Sequence, residues 1–154
     1  MSNTPARVLG APVGTAAEVA RLVLRVTLGV VMFLHGVQKL TDMGFGAMGP
    51  AFESMGVPLA GLTGPLVLLV ELIGGLAMIV GLATPIVGAI YALVMLGATI
   101  FVHAPMGFFA GNGGYEFVLV LAVLSAYFAV IGAGKYSVDQ ILAPRLAGRS
   151  AVAA

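Results

Sequence analysis

Residues 62–82 read Leu62-Thr63-Gly64-Pro65-Leu66-Val67-Leu68-Leu69-Val70-Glu71-Leu72-Ile73-Gly74-Gly75-Leu76-Ala77-Met78-Ile79-Val80-Gly81-Leu82. A run of about twenty apolar residues is long enough to cross the hydrocarbon layer of a bilayer as a helix. Glu71 stands near its middle. A carboxylate at that depth costs about 2.5–3.5 kcal/mol on insertion scales, so it calls for a partner and a purpose. The rest of the chain agrees with a membrane setting. It is 60% hydrophobic and 8% charged, with a mean hydropathy of +1.12. A soluble domain of 154 residues leaves too much surface in water to hide that composition.

Working outward from this run, four spans emerge: Ala20 to Lys39, Leu62 to Leu82, Ile86 to Ala104, and Tyr115 to Gly132. The fold expected is all-α, an integral membrane four-helix bundle with a short interfacial helix around Pro50–Met55 in the first outer loop. Residues 1–19 read as a cytoplasmic N-terminal segment and 20–139 as the four-helix domain. Residues 140–154 read as a cytoplasmic tail, amphipathic or disordered. The first span is too long for a signal peptide and lacks a small-x-small cleavage site, so it stays in the mature protein.

Orientation follows from Lys and Arg. Arg7, Arg21 and Arg25 flank the start of the first span; Lys135, Arg145 and Arg149 follow the fourth. The other side carries Lys39, balanced by Asp42 and Glu53. Both termini are therefore expected in the cytoplasm, in a multi-pass protein of the cell (inner or plasma) membrane. The lipid bilayer is its solvent. A net charge of +1 carries no nucleic-acid signal. With no cysteine, thiolate redox chemistry, Fe–S clusters and thiolate metal sites lie outside this chain, and no metal site is expected.

Ala83-Thr84-Pro85 barely separates the second and third spans, and reads as a tight hairpin with Thr84 capping a helix that Pro85 begins. The stretch Pro105 to Gly114 suits a loop folded back at the membrane surface. Gly29-Val30-Val31-Met32-Phe33-Leu34-His35-Gly36 and Gly97-Ala98-Thr99-Ile100-Phe101-Val102-His103-Ala104 share a pattern. Either it is a parallel repeat that sets His35 and His103 at one depth, or it is coincidence in biased sequence.

Six ionisable residues fall within or at the ends of spans: Arg25, His35, Lys39, Glu71, His103 and Glu116. At 100° per residue, Arg25, Gly29, Met32, Gly36 and Lys39 share a face, with His35 at its edge. Gly64, Glu71, Gly75 and Met78 share another, and Glu116, Val120, Val123 and Tyr127 a third. Charges avoid lipid and glycines let backbones approach, so these faces should converge. Helical side chains lean toward their own N-terminus. That tilts His35 and His103 toward Glu71 and Arg25 away from it. The expectation is an outer polar pocket of His35, Lys39, Glu71, His103 and Glu116, with Asn112 and Tyr115 at its mouth. Plainer roles stand beside this one. Lys39 could snorkel to the interface, Glu116 could serve its helix N-terminus, Arg25 could reach cytoplasmic phosphates, and the histidines could be structural. Packing use alone suits Glu71 least.

Together, Leu24-Arg25, His35-Gly36-Val37-Gln38-Lys39-Leu40, Val70-Glu71-Leu72-Ile73-Gly74-Gly75, Gly81-Leu82-Ala83-Thr84-Pro85 and Asn112-Gly113-Gly114-Tyr115-Glu116 resemble the DoxX family. These are small four-helix membrane proteins that include the DoxD-type subunits of thiosulfate:quinone oxidoreductases. The likeness covers roughly Ala20 to Asp139. It implies a role beside quinone-coupled sulfur oxidation or oxidative-stress resistance, and carries the fold more securely than an activity.

The leading functional expectation is a quinone-interacting subunit or accessory protein of a redox system, fed by a partner redox protein. The candidate ligand-binding residues are Arg25, His35, Lys39, Glu71, His103, Asn112, Glu116 and Tyr127, with Met32, Phe33, Met78, Phe101 and Tyr127 as the apolar slot. The alternatives are a b-type haem held by His35 and His103, and a non-enzymatic scaffold or assembly factor. A transporter is less attractive, because no span looks broken. Homo-oligomerisation stays open.

Overall fold

The structure is a computed structural model that describes residues 14–144. Arg7, Arg145 and Arg149, most of the N-terminal segment and the end of the tail lie outside the described residues. Within them the chain is helical, with no strand. Helix α1 is Thr15–Asp42. A 3-10 turn at Phe45–Ala47 leads into α2, Met48–Ser54, the short helix expected in that loop. Helix α3 is Ala60–Val80, α4 is Thr84–Gly97, and α5 is Glu116–Ile131. A last helix, α6, occupies residues 138–144, where a tail had been expected.

Among the described residues, two helices are long and apolar enough to cross a membrane: Ala60–Val80, and α4 with its continuation, Thr84–Met106. Glu116–Ile131 is apolar but shorter. Helix α1 packs chiefly on α3, and α4 on α5. Glycines set the first contact. A Cβ on Gly75 would lie 2.8 Å from the Phe33 backbone nitrogen, and one on Gly29 2.9 Å from the Gly75 carbonyl. Gly88 does the same in the second pair, 2.7 Å from the Ala129 nitrogen. Between the pairs lies a core of Leu28, Met32, Met78, Tyr91, Met95, Leu121 and Phe128.

Two expectations fail here for physical reasons. The fourth span does not present Glu116, Val120, Val123 and Tyr127 to the interior. Val120 and Val123 are 63% and 65% exposed, and the buried face is Val118, Leu121, Ala122, Ser125 and Phe128. That helix is apolar all round, so its sequence has little periodicity to read. Its orientation is set by the small residues that meet Gly88. The third span is also broken. The α-helix stops at Gly97, and Ala98–His103 continues as a π-helix, then as a 3-10 turn, Ala104–Met106. The Gly29–His35 stretch is plain α-helix, so the two similar octapeptides differ in backbone.

Candidate functional site

Glu71 is 2% exposed, and its partner is Lys39. The ammonium donates to both carboxylate oxygens, at 2.5 and 2.6 Å. Lys39 belongs to the last turn of α1 and leans back along it, while Glu71 leans toward the N-terminal end of α3. The two meet as the side-chain directions require. Gly36, one turn before, allows the approach, since its Cα hydrogen faces the Leu72 backbone nitrogen 3.0 Å from where a Cβ would sit. Lys39 does not snorkel, yet its side chain keeps 24% of its exposure. An ammonium has three donors, and this pair uses two.

The other expected members of the pocket are spread around this pair. His35, one turn before Lys39, is half-buried. Its ring sits 6.3 Å from that of Phe117 on α5, and it makes no side-chain hydrogen bond among the described residues. His103, at the end of the π-segment, has Nδ1 2.6 Å from the Gly113 carbonyl oxygen. Glu116 takes the Ala110 N–H on one carboxylate oxygen at 2.8 Å, clamping the loop rather than joining the ion pair. Asn112 is exposed in that loop, and Tyr115 packs edge-on against Phe108 at 5.5 Å. Tyr127 is 39% exposed and Phe101 40%, while Met32 and Met78 are sealed in the core. The expected apolar slot is therefore not gathered into one cavity.

Arg25 is at the opposite end. It is 1% exposed and donates to the carbonyls of Met78 at 2.9 Å, Ile79 at 3.1 Å and Tyr136 at 2.7 Å. It does not reach out to phosphates. Helix α3 ends in a Schellman turn, with Leu82 N–H on the Ala77 carbonyl and Gly81 N–H on Met78. The guanidinium meets this negative end of the helix dipole.

Sequence reasoning missed two groups. Thr84 does not cap α4; it is fully buried and its hydroxyl has no partner among the described residues. The cap is Asp139, whose two oxygens take the N–H of Ala83 at 2.6 Å and of Thr84 at 2.9 Å. Those bonds also hold Ala83 at a φ of 50°, a left-handed conformation uncommon outside glycine. The available signal was Ser137-Val138-Asp139-Gln140, a capping-box spacing. Ser137 indeed accepts the Gln140 N–H at 3.2 Å and starts α6. The second group is Tyr91, fully buried, whose hydroxyl is 3.3 Å from the carbonyl oxygens of Val70 and Glu71.

The DoxX family matches residues 20–104, a stretch that includes Lys39, Glu71 and the Gly81-to-Pro85 hairpin. The chain belongs to the DoxX family. Among DoxX relatives, "Putative oxidoreductase CatD" of Bacillus subtilis (strain 168) is 35% identical over 130 residues, 79% of this chain and 86% of that protein. "Inner membrane protein YqjF" of Escherichia coli (strain K12) is 31% identical over 127 residues, 81% of this chain and 93% of that one. No solved structure gives a significant match. With its two membrane-length helices, this DoxX protein is a membrane protein.

Proposed function

We propose that this protein spans the cell membrane four times, with both termini in the cytoplasm, and serves as a quinone-interacting subunit or accessory protein of a redox system. The observation that carries the reading is the Lys39–Glu71 pair, a charged donor and acceptor fixed 2.5 Å apart. Fixed charges in a hydrophobic layer default to function rather than packing. The relative named as an oxidoreductase supports a redox setting. Electrons come from a partner protein, a reading supported by the lack of cysteine and of any evident flavin or nucleotide motif in the sequence.

The residues fit a quinone headgroup in their donor set. The third N–H of Lys39 and a ring nitrogen of His35, which no described residue engages, suit a carbonyl oxygen. Glu71 keeps the ammonium aimed and can hold a proton. A bound quinone supplies two-electron, two-proton chemistry. A b-type haem is the second reading. With His103 Nδ1 on the Gly113 carbonyl, Nε2 is the free nitrogen, the arrangement a ligating imidazole adopts. A visible spectrum of the purified protein separates the two.

The test is calorimetric titration of a short-chain quinone into the protein in nanodiscs. Lys39→Gln, His35→Ala and Glu71→Gln should each weaken binding about tenfold or more, as loss of a bond to a charged group predicts. The double variant His35→Ala/Glu71→Gln should be scarcely worse than either single one, because groups in one network are not additive. His103→Ala should matter less. Unchanged binding in all of them would leave these residues as structure rather than a quinone site and favour the scaffold reading.

A further inference from the structure

The end of the molecule away from Lys39 and Glu71 holds a cavity of about 560 Å3, framed by the starts of α1 and α4, the end of α5 and residues 132–143. This is within the range of small-molecule sites, about 300–1,000 Å3. Its walls are of two kinds. Ile86 and Ile131 line it and are 63% and 46% exposed, so its apolar lining is continuous with exposed positions on α4 and at the end of α5. Arg21 and Lys135 line it as well.

The two acids on the wall are already engaged. Glu18 accepts the Lys135 backbone N–H at 2.6 Å and pairs with Arg21 at 3.4 Å. Asp139 gives both oxygens to the start of α4. Lys135 is exposed, and its ammonium has no carboxylate partner among the described residues; it lies 5.9 Å from the centre of the Tyr136 ring. Arg21 meets Glu18 through Nη1, and its Nη2 has no hydrogen-bond partner among the described residues.

We propose that this cavity binds an anionic phospholipid, with the headgroup phosphate on Arg21 and Lys135 and the acyl chains along Ile86 and Ile131. Cations with donors to spare beside an outward-running hydrocarbon wall match a lipid better than a free anion. The position, where two membrane-length helices meet at Gly81–Thr84, corresponds to headgroup depth if both helices span. The site rests on the membrane reading and is independent of the quinone.

Native mass spectrometry of the full chain, released from nanodiscs of phosphatidylglycerol mixed with phosphatidylcholine, tests it. The wild type should retain phosphatidylglycerol selectively. Lys135→Gln and Arg21→Gln should each lower that retention about fivefold, the effect of one surface cation on an anionic lipid, and Lys135→Arg should restore it. Lys135 is exposed, so its variants report even if Arg21→Gln fails to fold. Equal retention of the two lipids, or wild-type retention by Lys135→Gln, overturns the site. So does glycerol 3-phosphate protecting the detergent-solubilised protein from heat as well as phosphatidylglycerol does, for the acyl wall would then be idle.

Discussion

Glu71 and Lys39 hold each other so closely that neither can be removed alone without leaving a charge in an apolar interior. Glu71→Ala and Lys39→Ala should each cost about 3–5 kcal/mol, the penalty for breaking a buried pair. Glu53→Ala, at an exposed position, should stay within about 0.5 kcal/mol. Thermal melts in one detergent would show this, and equal midpoints for Glu71→Ala and Glu53→Ala would contradict the pair's burial. Asp139 makes a second residue-scale case. Asp139→Ala removes the cap of α4 and should cost about 1–2 kcal/mol. Adding Ala83→Gly should recover part of that, because glycine accepts the left-handed backbone freely. Glu71 and Lys39 were legible in the sequence, since a charge in an apolar run announces itself and helical lean says where it points. Asp139 was not. It acts 55 residues from Thr84, and the capping-box spacing around it marks only the start of its own helix, not that distant partner.

The helices differ in how much their sequences disclose. In α1, Arg25 and Lys39 mark the same face as Gly29, Met32 and Gly36, and that face is the packed one. In α5 the one charged residue, Glu116, opens the helix and spends its side chain on the loop, and Ser125, which does mark the buried face, satisfies itself on the Leu121 carbonyl at 2.7 Å. The π-segment leaves no mark in composition, because it changes only which carbonyl each N–H finds. Glycine substitutions test the packing. Gly75→Ala should destabilise by about 1–3 kcal/mol as it forces α1 from α3. Gly97→Ala should be neutral or slightly stabilising, since a Cβ there meets open space. Urea or heat unfolding of both variants in nanodiscs would rank them; a larger loss at Gly97 would refute the packing described.

At the scale of the molecule, the proposed topology predicts that a reporter fused after Ala154 is cytoplasmic and one inserted near Gly46 is not. Cytoplasmic labelling at Gly46 would invert the molecule and place the Lys39–Glu71 end on the wrong side. The network at the other end has a consequence in time. Among the described residues Arg25 belongs to the first helix and Asp139 to the last, yet both close on the junction of α3 and α4. At about 5–20 residues per second, a ribosome needs about 3–11 s to travel the 55 residues from Thr84 to Asp139. For that interval the nascent hairpin stands in the bilayer uncapped, with the Ala83 and Thr84 amides unanswered and the Arg25 guanidinium short of the Tyr136 carbonyl. The molecule is thus finished from its own tail. A chain cut short before Asp139 would contain all four long helices, α1, α3, α4 and α5, and still lack the cap on α4.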